Sequence, residues 1–163
     1  MSGRAGGMAA DDRAFVDIAH VIDDVRERLP PDRASRVEVR MPAGLTPVQL
    51  PRRSLAQALL SLVKNAFDAT VDDVSAVVVE VSQDAERCRV AVQDRGPGLS
   101  PEALQRVGEP FYTTKEPGRG LGLGLFLARV FAERFGGTLT LESRQGTIAV
   151  LELPLRSEPV RLS

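Results

Sequence analysis

Apolar residues recur along this chain at two periods, and the switches between them predict its elements. Across 12–29, Phe15, Ile18, Ala19, Ile22, Val25 and Leu29 follow helical spacing until Pro30-Pro31 ends the pattern. Across 36–41, Val37 and Val39 alternate with charged residues as in a half-buried strand, which Pro42 and Gly44 close. Over 52–72, Leu55, Ala58, Leu59, Leu62, Val63, Ala66 and Phe67 form one apolar stripe, predicting a longer helix that packs on a sheet. Period two returns at 76–83 through Val77, Val79 and Val81, and at 87–93 through Val90 and Val92. The short Asp84-Ala85-Glu86 link predicts a hairpin.

Periodicity then fails from 94 to 120, where Gly96, Pro97, Gly98, Pro101, Gly108, Pro110, Pro117, Gly118 and Gly120 crowd together. A connection of that length in a compact domain is usually functional or mobile, and a short helix at 101–107 interrupts it. A third helix reads over 122–135, with Leu123, Phe126, Leu127, Val130 and Phe131 as its stripe and Gly136-Gly137 as its stop. Two last strands, 138–142 and 147–155, turn about Gly146. The sum is an α+β two-layer sandwich, a mixed and mainly antiparallel sheet with about three helices on one face.

Composition narrows the chemistry. At 163 residues the chain fits one domain, and 43% hydrophobic with 26% charged residues suits a globular core. A net charge of -1 gives no basic surface for nucleic acid. One cysteine, Cys88, and one histidine, His20, exclude an internal disulfide and the common zinc cages. There is neither an apolar run that spans a bilayer nor a secretory leader, so a cytoplasmic setting is expected. Residues 1–11, small and aperiodic, read as a flexible leader or expression remnant, and 157–163 as a C-terminal tail.

Four segments carry candidate chemistry. Asp94, at the tip of a strand and followed by Arg95-Gly96-Pro97-Gly98, can accept from an exocyclic amine such as that of adenine, while the glycines let backbone approach a ring. Gly118-Arg119-Gly120-Leu121-Gly122-Leu123-Gly124 opens a helix, where free N–H groups and the helix dipole suit phosphate. It lacks the Gly-Lys-Ser/Thr of a P-loop and the βαβ setting of a dinucleotide fold. Ser61, Asn65 and Asp68 share one flank of the second helix, from which an amide oxygen can enter the shell of Mg²⁺. In Glu109-Pro110-Phe111-Tyr112-Thr113-Thr114-Lys115, the aromatic pair can pin a loop while Lys115 approaches phosphate. Each segment also has a plain structural reading: a capped turn, a hinge, a polar flank and a loop anchor.

Taken in order, LVKNAFDAT around Asn65, DRGPG from Asp94, EPFYTTK and GRGLGLGL resemble the four boxes of the ATP-binding catalytic domain of sensor histidine kinases, with features of their redox-responsive branch. That family shares the Bergerat fold with DNA gyrase, Hsp90 and MutL. The resemblance implies a catalytic domain over 12–156 with an ATP lid at about 95–119. It implies Mg²⁺ held by Asn65, adenine bonded by Asp94, a pocket shaped by Gly96 and Gly98, and support for adenine from Thr147. Phosphate contacts are implied from Thr114 and Lys115, from Gly118, Gly120, Leu121, Gly122 and Leu123, and from Arg119 at the γ-phosphate, with Asp68 on the nucleotide flank. Asn65 and Lys115 take the catalytic roles. Implied partners are a histidine-bearing dimerisation domain and, through it, a response regulator, with no direct nucleic acid. Attachment to the inner membrane would come only through upstream segments.

The chain departs from the pattern at three places: many members carry Asn where Ser61 stands, a basic or aromatic residue at Asp68, and Phe at Gly108. His20, in IAHVIDDV, lacks the acid that typically follows a phosphoacceptor and reads as a surface or packing residue. The competing readings are a stand-alone anti-sigma-factor-like serine kinase and an ATP-driven clamp. The clamp wants an acid where Ser61 stands.

Overall fold

The computed structural model describes residues 14–70, 72, 74–98, 100–106, 123–143 and 145–156. In chain order the elements are β1 (Phe15–Val16), α1 (Ile18–Glu27), α2 (Pro31–Ala34), β2 (Val37–Arg40), β3 (Val48–Gln49), α3 (Arg52–Ala69), β4 (Val77–Gln83), β5 (Arg87–Gln93), α4 (Pro101–Arg106), α5 (Leu123–Arg134), β6 (Thr138–Ser143) and β7 (Thr147–Pro154).

The first helix starts later than its spacing predicts. Phe15 and Val16 are drawn into antiparallel pairing with Gln49 and Val48, and Asp17 then caps α1 by accepting from the Ala19 N–H at 3.0 Å. Pro30-Pro31 does end α1, but Pro31 also opens the one-turn α2, since its fixed φ suits the first helical position.

Five strands form the main sheet in the order β2-β4-β5-β7-β6, with β2 parallel to β4 and the other pairs antiparallel. The register sets Val79 opposite Val92, Val81 opposite Val90, Val90 opposite Leu151, and Leu151 opposite Leu139, so one face is continuously apolar. Helix α3 packs between α1 and α5, and their stripes bury Ile22, Val25, Leu55, Leu59, Leu62 and Phe131 in the core. The opposite face carries Arg40, Glu80, Arg89 and Glu142. Across the helical layer, Arg52 forks onto Asp24 at 2.7 and 3.0 Å and holds the Asp24 carboxyl below its ordinary range. The architecture is the α+β sandwich that the alternating periods predict.

Candidate functional site

β5 delivers Asp94 from an apolar strand into a place where only 4% of the residue is exposed. Its backbone N–H donates to the Thr147 carbonyl at 3.0 Å, continuing the β5–β7 ladder by one residue. Its Oδ1 accepts from the Thr147 N–H at 3.0 Å and from the Gly96 N–H at 2.9 Å. Its Oδ2 takes no hydrogen bond from the described residues. Burial pushes the carboxyl up from its ordinary 3.8, partly offset by the two N–H donors. The result is a carboxylate fixed on one side and available as an acceptor on the other.

Glycines let three segments converge around it. A Cβ on Gly96 would collide with the Ala69 carbonyl oxygen, so the loop after β5 lies directly on the last turn of α3. Gly98, at φ +81°, crosses the β6–β7 turn, where a Cβ would collide with Ser143 Oγ and stand 3.2 Å from the Gly146 carbonyl oxygen. Gly146, at φ +123°, packs on Asp94 itself: a Cβ would overlap its carbonyl oxygen and stand 3.1 Å from Oδ1. Asn65 lies one turn before Ala69 on the same flank of α3 and is partly exposed. At the head of α5, a Cβ on Gly124 would sit 3.7 Å from Ser61 Cβ, so the small Ser61 accommodates a close helix crossing one turn before Asn65.

Gly146 was not legible as a site residue, because an isolated turn glycine in sequence says nothing of what lies above it. Gly146→Ala is expected to cost about 1–3 kcal/mol through the positive φ and the overlap with Asp94. Urea unfolding measures that loss, and nucleotide titration at a temperature where the variant is folded should show weakened affinity as well. Parent-like behaviour in both would remove Gly146 from the support of Asp94.

The predicted residues divide as follows. Asp94, Gly96, Gly98 and Thr147 surround one region at the C-terminal end of β5, with Thr147 acting through its backbone on Asp94, and Asn65 lies on α3 one turn before the Ala69 that Gly96 packs on. Asp68 pairs with Arg33, Nη2 to Oδ1 at 3.4 Å. Thr114, Lys115, Gly118, Arg119, Gly120, Leu121 and Gly122 lie outside the described residues, as does the side chain of Leu123. The expected lid is therefore described only up to 98 and over 100–106. His20 is exposed on α1. A groove of about 610 Å³ lies at the opposite pole, lined by Phe15, Pro47, Asp84, Arg87, Pro154 and Arg156, a full strand length from Asp94. Among the described residues no three His, Cys, Asp or Glu side chains cluster as metal ligands, and no helix is long and apolar enough to cross a membrane.

Residues 51–157 match the family described as histidine kinase-, DNA gyrase B-, and HSP90-like ATPase. Histidine protein kinase DivJ of Caulobacter vibrioides is 37% identical over 125 residues, covering 74% of this chain and 21% of that protein. Sporulation kinase E of Bacillus subtilis is 33% identical over 114 residues, covering 69% of this chain and 15% of that protein. The chain thus spans about a fifth or less of these relatives. Full-length ShkA, solved in complex with AMPPNP, superposes with a TM-score of 0.74 at 28% identity, over 91% of this chain and 32% of that one.

Proposed function

Because the chain belongs to the histidine kinase-, DNA gyrase B- and HSP90-like ATPase family, we propose that the region around Asp94 and the Asn65 flank of α3 takes Mg-ATP. The domain then donates the γ-phosphoryl group to a histidine on a separate helical domain of a full-length kinase. The one-sided carboxylate of Asp94 carries this reading. Its Oδ1 is saturated by the Gly96 and Thr147 N–H groups, so its free side meets a donor, and an adenine amino group is such a donor. Gly96 and Gly98 bring bare backbone toward the ring. Asn65 offers an amide oxygen to Mg²⁺, a hard ion that draws its remaining ligands from phosphate and water. Thr114, Lys115, Arg119 and the run Gly118, Gly120, Leu121, Gly122 and Leu123 meet the phosphates as hydroxyl, cations and backbone N–H groups.

When bound, Mg-ATP supplies the transferable phosphoryl group, and transfer of this kind demands positioning and charge neutralisation rather than covalent help from the protein. Asp94 and the glycine backbone orient the nucleotide, while Lys115 and Arg119 offset charge. His20, exposed on α1, is no acceptor in this scheme. A response regulator receives the group next, and any membrane attachment belongs to segments upstream. The matched relatives carry the names of histidine and sporulation kinases, which does not favour the anti-sigma-factor reading.

The test incubates this chain with γ-labelled ATP, Mg²⁺ and a separately produced histidine-bearing hairpin from the same reading frame. Acid-labile, alkali-stable label on the hairpin is expected. Acid-stable label on a serine of a bound partner would overturn the proposal.

A further inference from the structure

α3 ends without the glycine or the basic last turn that commonly close a helix: Thr70 caps it and leaves in an extended conformation at ψ 130°. The stretch beyond is held from outside by Arg36, which stands between α2 and β2. Its Nε and Nη2 donate to the Ser75 carbonyl at 3.1 and 3.0 Å, and Nη2 also donates to the Asp72 carbonyl at 3.2 Å. Its own carbonyl accepts from the Val77 N–H at 3.0 Å, where β2 and β4 begin to pair. The Asp72 carboxylate closes the same turn from within, accepting from the Val74 and Ser75 N–H groups at 2.9 and 2.6 Å and from Ser75 Oγ. The Arg36 guanidinium also covers the buried Phe67 ring, with Cζ 5.2 Å from its centre, and Arg33 shares that ring at 5.3 Å. Arg36 thus grips the exit of α3 on both sides of Ala69, at Phe67 before it and at Asp72 and Ser75 after it. Ala69 is the residue whose carbonyl seats Gly96, and the Gly96 N–H is one of the two donors on Asp94 Oδ1.

We propose that Arg36 is a positioning residue for the nucleotide site: it fixes the last turn of α3, so that Ala69 keeps the Gly96 loop seated and the Gly96 N–H aimed at Asp94. The proposal rests on the Mg-ATP reading of that site and adds a residue to it that none of the four sequence boxes contains. Arg36 touches no nucleotide in this scheme and acts through the backbone it holds. Arg33 on the same ring and the Thr70 bonds back to Ala66 and Phe67 still restrain the turn without it, so the effect is moderate.

The experiment titrates Mg-ATP into the parent, Arg36→Gln, Arg36→Lys and Leu151→Ala, each at a temperature where it is folded, and records their backbone amide resonances without ligand. Arg36→Gln is expected to bind about three- to tenfold more weakly, with its Gly96 amide resonance moved. Arg36→Lys keeps a cation over Phe67 and a single donor head, so it is expected to fall between Arg36→Gln and the parent. It carries the test alone if Arg36→Gln does not fold. Leu151→Ala, truncated in the middle of the sheet, is expected to keep parent affinity and an unmoved Gly96 amide, which separates positioning from a general loss of stability. Parent affinity in the Arg36 variants, an unmoved Gly96 amide, or equal weakening in Leu151→Ala overturns the positioning role while leaving the site intact. Failure of the parent itself to bind Mg-ATP overturns the site, and the positioning role with it.

Discussion

Asp94→Asn is expected to weaken Mg-ATP binding about thirty- to hundredfold with the fold preserved. Asparagine can keep its amide oxygen on the Gly96 and Thr147 N–H groups, but it then turns an NH₂ toward the ligand where the carboxylate offers an acceptor. Two donors face each other, and losing a hydrogen bond to a charged group amounts to about 2–3 kcal/mol. Calorimetric titration measures this, and equal affinity would remove Asp94 from the site. The same variant tests the electrostatics without ligand. Burial raises the Asp94 carboxyl above 3.8, so the folded protein holds that proton more tightly than the unfolded chain does. Ionising it therefore lowers stability as pH rises through the folded value, and below 3.8 the penalty vanishes because both states are protonated. Asparagine has no such proton. The Tm of Asp94→Asn relative to the parent should be most favourable at neutral pH and decline as pH falls toward 4. A flat difference would mean that burial does not govern this carboxyl.

Leu151→Ala is expected to destabilise the domain by about 3 kcal/mol. Leu151 is fully buried on β7, facing Val90 on one neighbouring strand and Leu139 on the other, so truncation leaves a cavity at the centre of the sheet. The urea midpoint should fall with its slope unchanged. Nucleotide affinity of the folded fraction should persist, because Asp94 is anchored at the far end of the same ladder through Thr147. A loss below about 1 kcal/mol would show that the sheet repacks around the site.

Much of this arrangement was legible in residue spacing. The stripe from Leu55 to Phe67 marks α3, and the alternating valines mark β4 and β5, because each side chain there meets a single environment, core or solvent. β1 and β3 were not legible: two residues are too few to display a period, and their pairing joins Phe15 to Gln49 across the chain. Pro31 read as a stop because the same ring that ends one helix also fits the first position of the next. Asp94 was visible as an acid at the tip of a strand, but its support was not. Gly146 packs on Asp94 and Ala69 packs on Gly96 beside it, and Arg33 meets Asp68 across 35 residues. Such contacts leave no local pattern, since nothing near either partner in sequence responds to the other.

The far-pole groove has a consequence for how this domain is mounted. Polypeptide arrives through Phe15 and departs through Arg156, and both residues line that groove, roughly 24 Å from Asp94 judged by the seven residues of β5. A segment joined directly at Phe15 or at Arg156 therefore starts from the pole opposite Asp94, like a tool gripped at its handle. Changes made at that pole, at Phe15 or Arg156, leave every atom around Asp94 in place, so attachment and nucleotide affinity can be altered independently.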